Sequence, residues 1–199
     1  MKTIIWSVLG WAKKIAKKKS DRTTNAVRHV ERMKQKAATD VRVSYLEQNL
    51  RDTKQYMTTV EVLANVFTAC AREKFKFGNP KVQKLLDKVN SQMDCIKKGY
   101  VTSAEIRQIL RDEIKLDLEY EPQGEMTHER AISSRAVQDI TAAFMLALND
   151  GFGFKKLRLS RWHTMAAKLV HSIQTQKIST SQVMLMAAGK MKFSYGEVA

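Results

Sequence analysis

The sequence predicts a mainly α protein: N-terminal basic helices followed by two tandem three-helix units, each ending in a short β-like segment. Three observations carry that reading. Apolar residues recur at helical spacing in most of the 199-residue chain. No glycine follows Gly10, and no proline occurs at all, before Thr59. The second and last thirds align with each other without a gap at an offset of 77 residues, Val60 on Val137 and Phe67 on Phe144. The expected organisation is a basic helical region over 1–57, a first unit over 58–120, a linker over 121–130 and a second unit over 131–199.

The opening stretch, MKTIIWSVLGWAKKIAKKKS, reads as an amphipathic helix. At 100° per residue Ile4, Ile5, Val8, Leu9, Trp11 and Ile15 share one arc, and Lys13, Lys14 and Lys17 fall outside it. The apolar run meets lysine with no small-residue cleavage site, so it is not a secretory signal, and it is too short to span a bilayer. It suits docking on the protein's own core, with the basic end directed at phosphates; attachment to a membrane surface is the weaker alternative. Residues 24–55 then form one or two long charged helices with an imperfect apolar stripe of Val27, Val30, Met33, Ala37, Val41, Leu46 and Leu50. That stripe can pack on the repeats or pair with a second copy as a homodimer. Its heptad is too irregular to specify a coiled coil.

Each unit reads as helix, aromatic turn, helix, short link, capped helix and a brief alternating segment. The first helices span about Thr59 to Arg72 and Ser134 to Asn149. Phe75 and Phe77 fall on Phe152 and Phe154, Leu85 on Trp162, and Ile106 on Val183. Asn79–Pro80 supplies an N-cap residue with proline at the first helical position. Thr102 with Glu105, and Ser179 with Gln182, are both capping boxes. The segments IKLDLEY from Ile114 and MKFSY from Met191 alternate like short strands. Between the units EPQGEMTHER is the linker, marked by Pro122 and Gly124.

Charge points to an anionic partner. Thirty-five Lys and Arg against 20 Asp and Glu leave +15, more than solubility requires of a chain this size. Residues 1–55 hold 14 basic against 5 acidic, residues 56–130 hold 12 of each, and residues 131–199 hold 9 against 3. In NDGFGFKKLRLSRWH, Gly151 and Gly153 free the backbone to turn, and Phe152 and Phe154 plug the gap between flanking helices. Lys155, Lys156 and Arg158 fall in the first turn of the next helix, where free N–H groups and the helix dipole attract anions. Arg161 and Lys168 point away from the buried arc of Leu159, Trp162, Ala166 and Leu169. With Lys13, Lys14, Lys17, Lys18, Lys19 and Arg22 they form the candidate contact set for a phosphate backbone; the bland alternative is a solvated basic face. Lys74, Lys76 and Lys81 at the first turn are answered by Glu73, Asp87 and Asp94, which makes that turn the weaker phosphate site.

The stretches ALNDGFGFKKLRLSRW and EKFKFGNPKVQKLLDKVNSQMDCIKKGYVTSAEIRQILRDE resemble small helical proteins encoded by bacteriophages and prophages of Gram-positive bacteria. In that group an alanine- and leucine-rich helix leads into a phenylalanine–glycine turn, then Lys/Arg-Leu and further helix. The resemblance covers about residues 59–119 and 131–197. This chain departs from it by carrying the unit twice and by moving the turn glycine. The resemblance implies a viral accessory or regulatory protein in the host-cell cytoplasm.

Motifs for chemistry are missing. His29, His128, His163 and His171 are scattered, and neither a Walker loop, H-E-x-x-H, G-x-S-x-G nor an acidic metal cluster occurs. Cys70 sits in a core phase and Cys95 near a helix end, without the spacing of a disulfide framework or zinc site. No enzyme, cofactor or metal is expected. The leading expectation is a non-enzymatic phage nucleic-acid-binding protein, taking DNA or RNA by its backbone. The alternative is an inhibitor that binds a host protein complex such as a defence assembly or polymerase.

Overall fold

Nothing between Gly10 and Gly78 obliges a helix to stop, since neither glycine nor proline intervenes. Accordingly α1 runs unbroken through Lys2–Phe75 in the computed structural model, which describes residues 2–117 and 126–191, with side chains from residue 27 onward. The separate N-terminal helices and the fresh start near Thr59 that the sequence suggested therefore merge into one element. Five helices follow: α2 (Asn79–Lys97), α3 (Ser103–Ile114), α4 (His128–Phe152), α5 (Lys156–Gln174) and α6 (Thr180–Ala187). Helix ends recur at one interval: α1 and α4 close at 75 and 152, α2 and α5 open at 79 and 156 and close at 97 and 174, and α3 and α6 open at 103 and 180.

The chain divides inside α1 into two units, Met1–Arg51 and Asp52–Ala199. In the first, every side chain from 27 to 51 is exposed, including Val30, Met33, Val41 and Leu50 of the apolar stripe. Local pairs support the helix there: Arg51 meets Glu47 at 3.7 Å, and the Thr39 hydroxyl donates to the Gln35 carbonyl at 2.9 Å. Such exposed pairs contribute a few tenths of a kcal/mol at most, about 0.3–0.5 for an i,i+4 ion pair.

The second unit is built around one continuous core. Phe67, Phe144 and Trp162 meet at its centre, with ring centroids 5.1 Å (Phe67–Phe144) and 4.7 Å (Phe67–Trp162) apart, and the buried Trp162 indole N–H donates to the Phe67 carbonyl at 3.3 Å. Val66, Leu85, Ile106, Leu110, Ile140, Leu148 and Val183 surround them. Cys70 is fully buried, as its phase predicted, and desolvation pushes its thiol well above the ordinary range, which leaves it unreactive.

A row of polar contacts fastens the start of α4 to α1. His128 Nε2 lies 2.9 Å from Asp52 Oδ2; Gln55 donates to the Glu129 carbonyl at 2.9 Å and to Ser133 Oγ at 3.0 Å; Tyr56 donates to Asp139 Oδ2 at 2.9 Å. Asp139 is buried, and Arg135 approaches the same oxygen at 3.7 Å. A buried carboxylate requires such donors, because leaving one unsatisfied costs about 1–3 kcal/mol or more.

Both capping boxes form, Thr102 with Glu105 at α3 and Ser179 with Gln182 at α6. Among the described residues there is no strand. Lys115 takes a left-handed conformation (φ 55) that ends α3, and 115–117 continue without regular structure. The remainder of the two alternating segments, 118–120 and 192–195, lies outside the described residues, as do 121–125 of the linker; its last three residues, His128 to Arg130, instead form the first turn of α4, which Thr127 caps.

Candidate nucleic-acid interface

The two aromatic turns are two ways of ending a helix with the same backbone. α1 gives way to Lys76 at φ 53, and α4 to Gly153 at φ 65. Glycine adopts that left-handed conformation freely, whereas a lysine pays about 1 kcal/mol or somewhat more for it. Gly151, expected to loosen the turn, is helical instead; its role is close approach, since a Cβ there would lie 2.8 Å from Cδ of Lys88. At the first turn the N-cap of α2 is Gly78, not Asn79. Asn79 Oδ1 accepts from Arg72 Nη2 at 2.9 Å, and Arg72 Nε also reaches the Ala187 carbonyl at 2.6 Å, tying the corner to the end of α6.

The phenylalanines do more than plug their own corners, because each pair reaches the other. Phe75 packs on Phe154 at 4.6 Å, Phe77 on Phe152 at 4.7 Å and Phe77 on Phe154 at 6.0 Å. The corners therefore form one end of the second unit, with Phe77 and Phe154 buried and Phe75 and Phe152 half-buried.

Cations rim this ring cluster. Lys81 Nζ lies 5.8 Å from the Phe77 ring, Arg158 Cζ 5.6 Å from Phe154, and Lys84 Nζ 5.7 Å from Phe152. Their charged heads lie within cation–π reach of the rings, and all three residues are exposed. Lys155, Lys156, Arg158, Arg161 and Lys168 are all exposed, the last two on the outward side of α5 as its periodicity predicted. Lys155 is the N-cap of α5, its ammonium 3.5 Å from Asn149 Oδ1, and no side chain caps α5 or α2. By contrast Thr102, Thr127 and Ser179 cap α3, α4 and α6. Among the described residues no ion pair involves Lys81, Lys84, Arg158 or Arg161.

Charge is concentrated here. Residues 72–88 carry six basic against two acidic side chains and residues 149–161 carry four against one, a combined +7. Residues 52–199 as a whole carry 22 basic against 16 acidic, or +6, so everything else in them amounts to −1. The sequence places the contact at the second corner and the basic N-terminal stretch, and ranks the first corner, with Lys74, Lys76 and Lys81, as the weaker phosphate site. Lys84 is not named by that reading, although Lys81 and Lys84 stand 77 residues before Arg158 and Arg161, the offset of the sequence alignment. Lys13, Lys14, Lys17, Lys18, Lys19 and Arg22 lie on the backbone of α1, and their side chains fall outside the described residues.

An open groove of about 500 Å³ is lined by Phe67, Arg107, Gln138, Thr141, His163 and His171 among others. The two histidines, eight residues apart on α5, both line it. Crowding there lowers the His163 imidazole below its ordinary pKa through desolvation. Among the described residues no three His, Cys, Asp or Glu side chains come together to hold a metal ion. Nor is any helix among them long and apolar enough to cross a membrane. Comparison of the chain with protein-family models, with curated proteins and with solved structures finds no match.

Proposed function

We propose that the protein binds nucleic acid through the phosphate backbone, without catalysis, and that the twin aromatic corners are its contact surface. The observation that carries this is the placement of charge: the described residues from 52 to 191 hold 21 basic against 12 acidic side chains, and +7 of that +9 sits around the starts of α2 and α5, which no side chain caps. Helix N-termini with exposed cations favour phosphate oxygens, and these contacts position a backbone without reading its bases. Lys155, Lys156, Arg158, Arg161 and Lys168 contribute from the second corner, and Lys81 and Lys84 from the first. The basic N-terminal third, through Lys13 to Arg22, adds further backbone contacts. Both three-helix segments are copies of one unit, a reading supported by the common interval between helix ends and by the reciprocal ring contacts. An accessory role for a phage in the host cytoplasm belongs to the same proposal and rests on the resemblance of the turn motifs.

The test is charge reversal at Lys155, Lys156, Arg158 and Arg161. The variant keeps its helical circular dichroism and loses affinity for nucleic acid. Undiminished binding by the folded variant would remove the surface from the account.

A further inference from the structure

The cations around the corners stand at matching positions of the two corners. Displacing a residue by the interval that separates Phe75 from Phe152 carries Phe77 to Phe154, Lys81 to Arg158 and Lys84 to Arg161. The ring contacts obey the reciprocity of a two-fold axis. Phe75 touches Phe154 as Phe77 touches Phe152, and Phe67 touches its own counterpart, Phe144. Lys81 sits over Phe77 as Arg158 sits over Phe154, at 5.8 and 5.6 Å. The corner surface thus presents two sets of cations at positions 77 residues apart, Lys81 with Lys84 and Arg158 with Arg161; the ring contacts of Lys81 and Arg158 obey an approximate dyad, whereas Lys84 lies over Phe152 with no matching ring contact for Arg161 among the described residues.

We propose that this surface grips both strands of a nucleic-acid duplex at once, one cation set to each backbone; the proposal rests on the phosphate-binding reading above. The antiparallel backbones of a duplex are themselves related by dyads perpendicular to its axis, and two-fold proteins match them. Distance permits the match. With rings 6.0 Å apart and cations at 5.8 and 5.6 Å from them, Lys81 Nζ and Arg158 Cζ are separated by at most about 17 Å. Duplex DNA has grooves about 6 and about 12 Å wide, and both widths lie below that limit, so the separation that the match requires is within range of the two cations. A single strand offers one backbone and no dyad. It would be held by bases stacked on open aromatic faces, and here Phe77 and Phe154 are buried with their faces taken by other rings and by cations. A duplex of DNA or of RNA presents the paired backbones, and the experiment separates these sources.

The experiment measures affinity of the full chain for a short DNA duplex, an RNA duplex and the corresponding single strands. It compares wild type with two double variants, K81E/K84E and R158E/R161E, each checked for native circular dichroism, with the Gln versions as substitutes if either fails to fold. The expected result is preference for one or both duplexes over single strands by about tenfold or more, with each double variant lowering the salt dependence of duplex binding by about two units. Equal binding of single strands, or an effect confined to one corner, would overturn the duplex inference while leaving backbone binding in place. No binding to any of the four would instead overturn the reading beneath it.

Discussion

At the scale of the residue, the two halves of the second unit solve the same backbone problem with different side chains. Where the second half places Gly153 at a left-handed corner, the first places Lys76; where the first uses Gly99 (φ 73), the second uses Gln176 (φ 57). Non-glycine residues in this conformation are strained by about 1–2 kcal/mol. Gln176→Gly is therefore expected to raise unfolding stability by roughly 0.5–1 kcal/mol, the relief being partly offset by the greater freedom of an unfolded glycine; urea denaturation measures it. Tyr56 behaves in the opposite sense to a surface phenol. Burial, then its hydrogen bond to Asp139 and that carboxylate's charge, raise its pKa well above the ordinary value. Unfolded tyrosine ionises near pH 10, so the native state holds its proton where the unfolded state gives it up, and the stabilisation present below about pH 10 is lost as pH rises beyond it. Tyr56→Phe should cost about 1–3 kcal/mol at neutral pH by depriving buried Asp139 of a donor, and should remove that part of the alkaline loss. An unchanged alkaline limb in the variant would refute the assignment.

At the scale of the element, what could be read from the sequence was local. Capping boxes at Thr102 and Ser179, the buried arc of α5 and the core phase of Cys70 all follow from spacing within one helix. Each emerges where the spacing put it. The continuity of α1 was less legible, because the apolar pattern changes character near residue 55 while the backbone has no reason to stop. Least legible was the interlocking of Phe75 with Phe154 and Phe77 with Phe152, since contacts between distant segments depend on packing geometry that periodicity does not encode. The offset alignment held a signal that joins the two basic corners, since it sets Lys81 on Arg158 and Lys84 on Arg161. Arg72 shows how the corners are held. It donates to the Ala187 and Phe77 carbonyls and to Asn79. Arg72→Ala is expected to lower stability by about 2 kcal/mol, as charge-assisted hydrogen bonds contribute about 1.5–3 kcal/mol, and Arg72→Lys should recover little because lysine lacks the planar fork. Thermal denaturation of the two variants distinguishes loss of the fork from loss of charge.

At the scale of the whole molecule, charge and core divide between different parts of the chain. Residues 1–51 carry 13 basic against 4 acidic side chains, and from residue 27 to 51 every one is exposed. The buried core belongs to Asp52–Ala199. A fragment beginning at Asp52 is therefore expected to fold with nearly the melting temperature of the full chain, as calorimetry would show. The same fragment should bind nucleic acid more weakly and with a shallower salt dependence, because the N-terminal cations are gone. The central claim is that the cations of the twin corners hold phosphates. Its most direct test is the salt dependence of duplex DNA affinity for wild type and for the quadruple variant K81E/K84E/R158E/R161E. Loss of four phosphate contacts should flatten the slope of log affinity against log salt by about 3–4 units, with the fold intact. Equal slopes for the two proteins would contradict the claim.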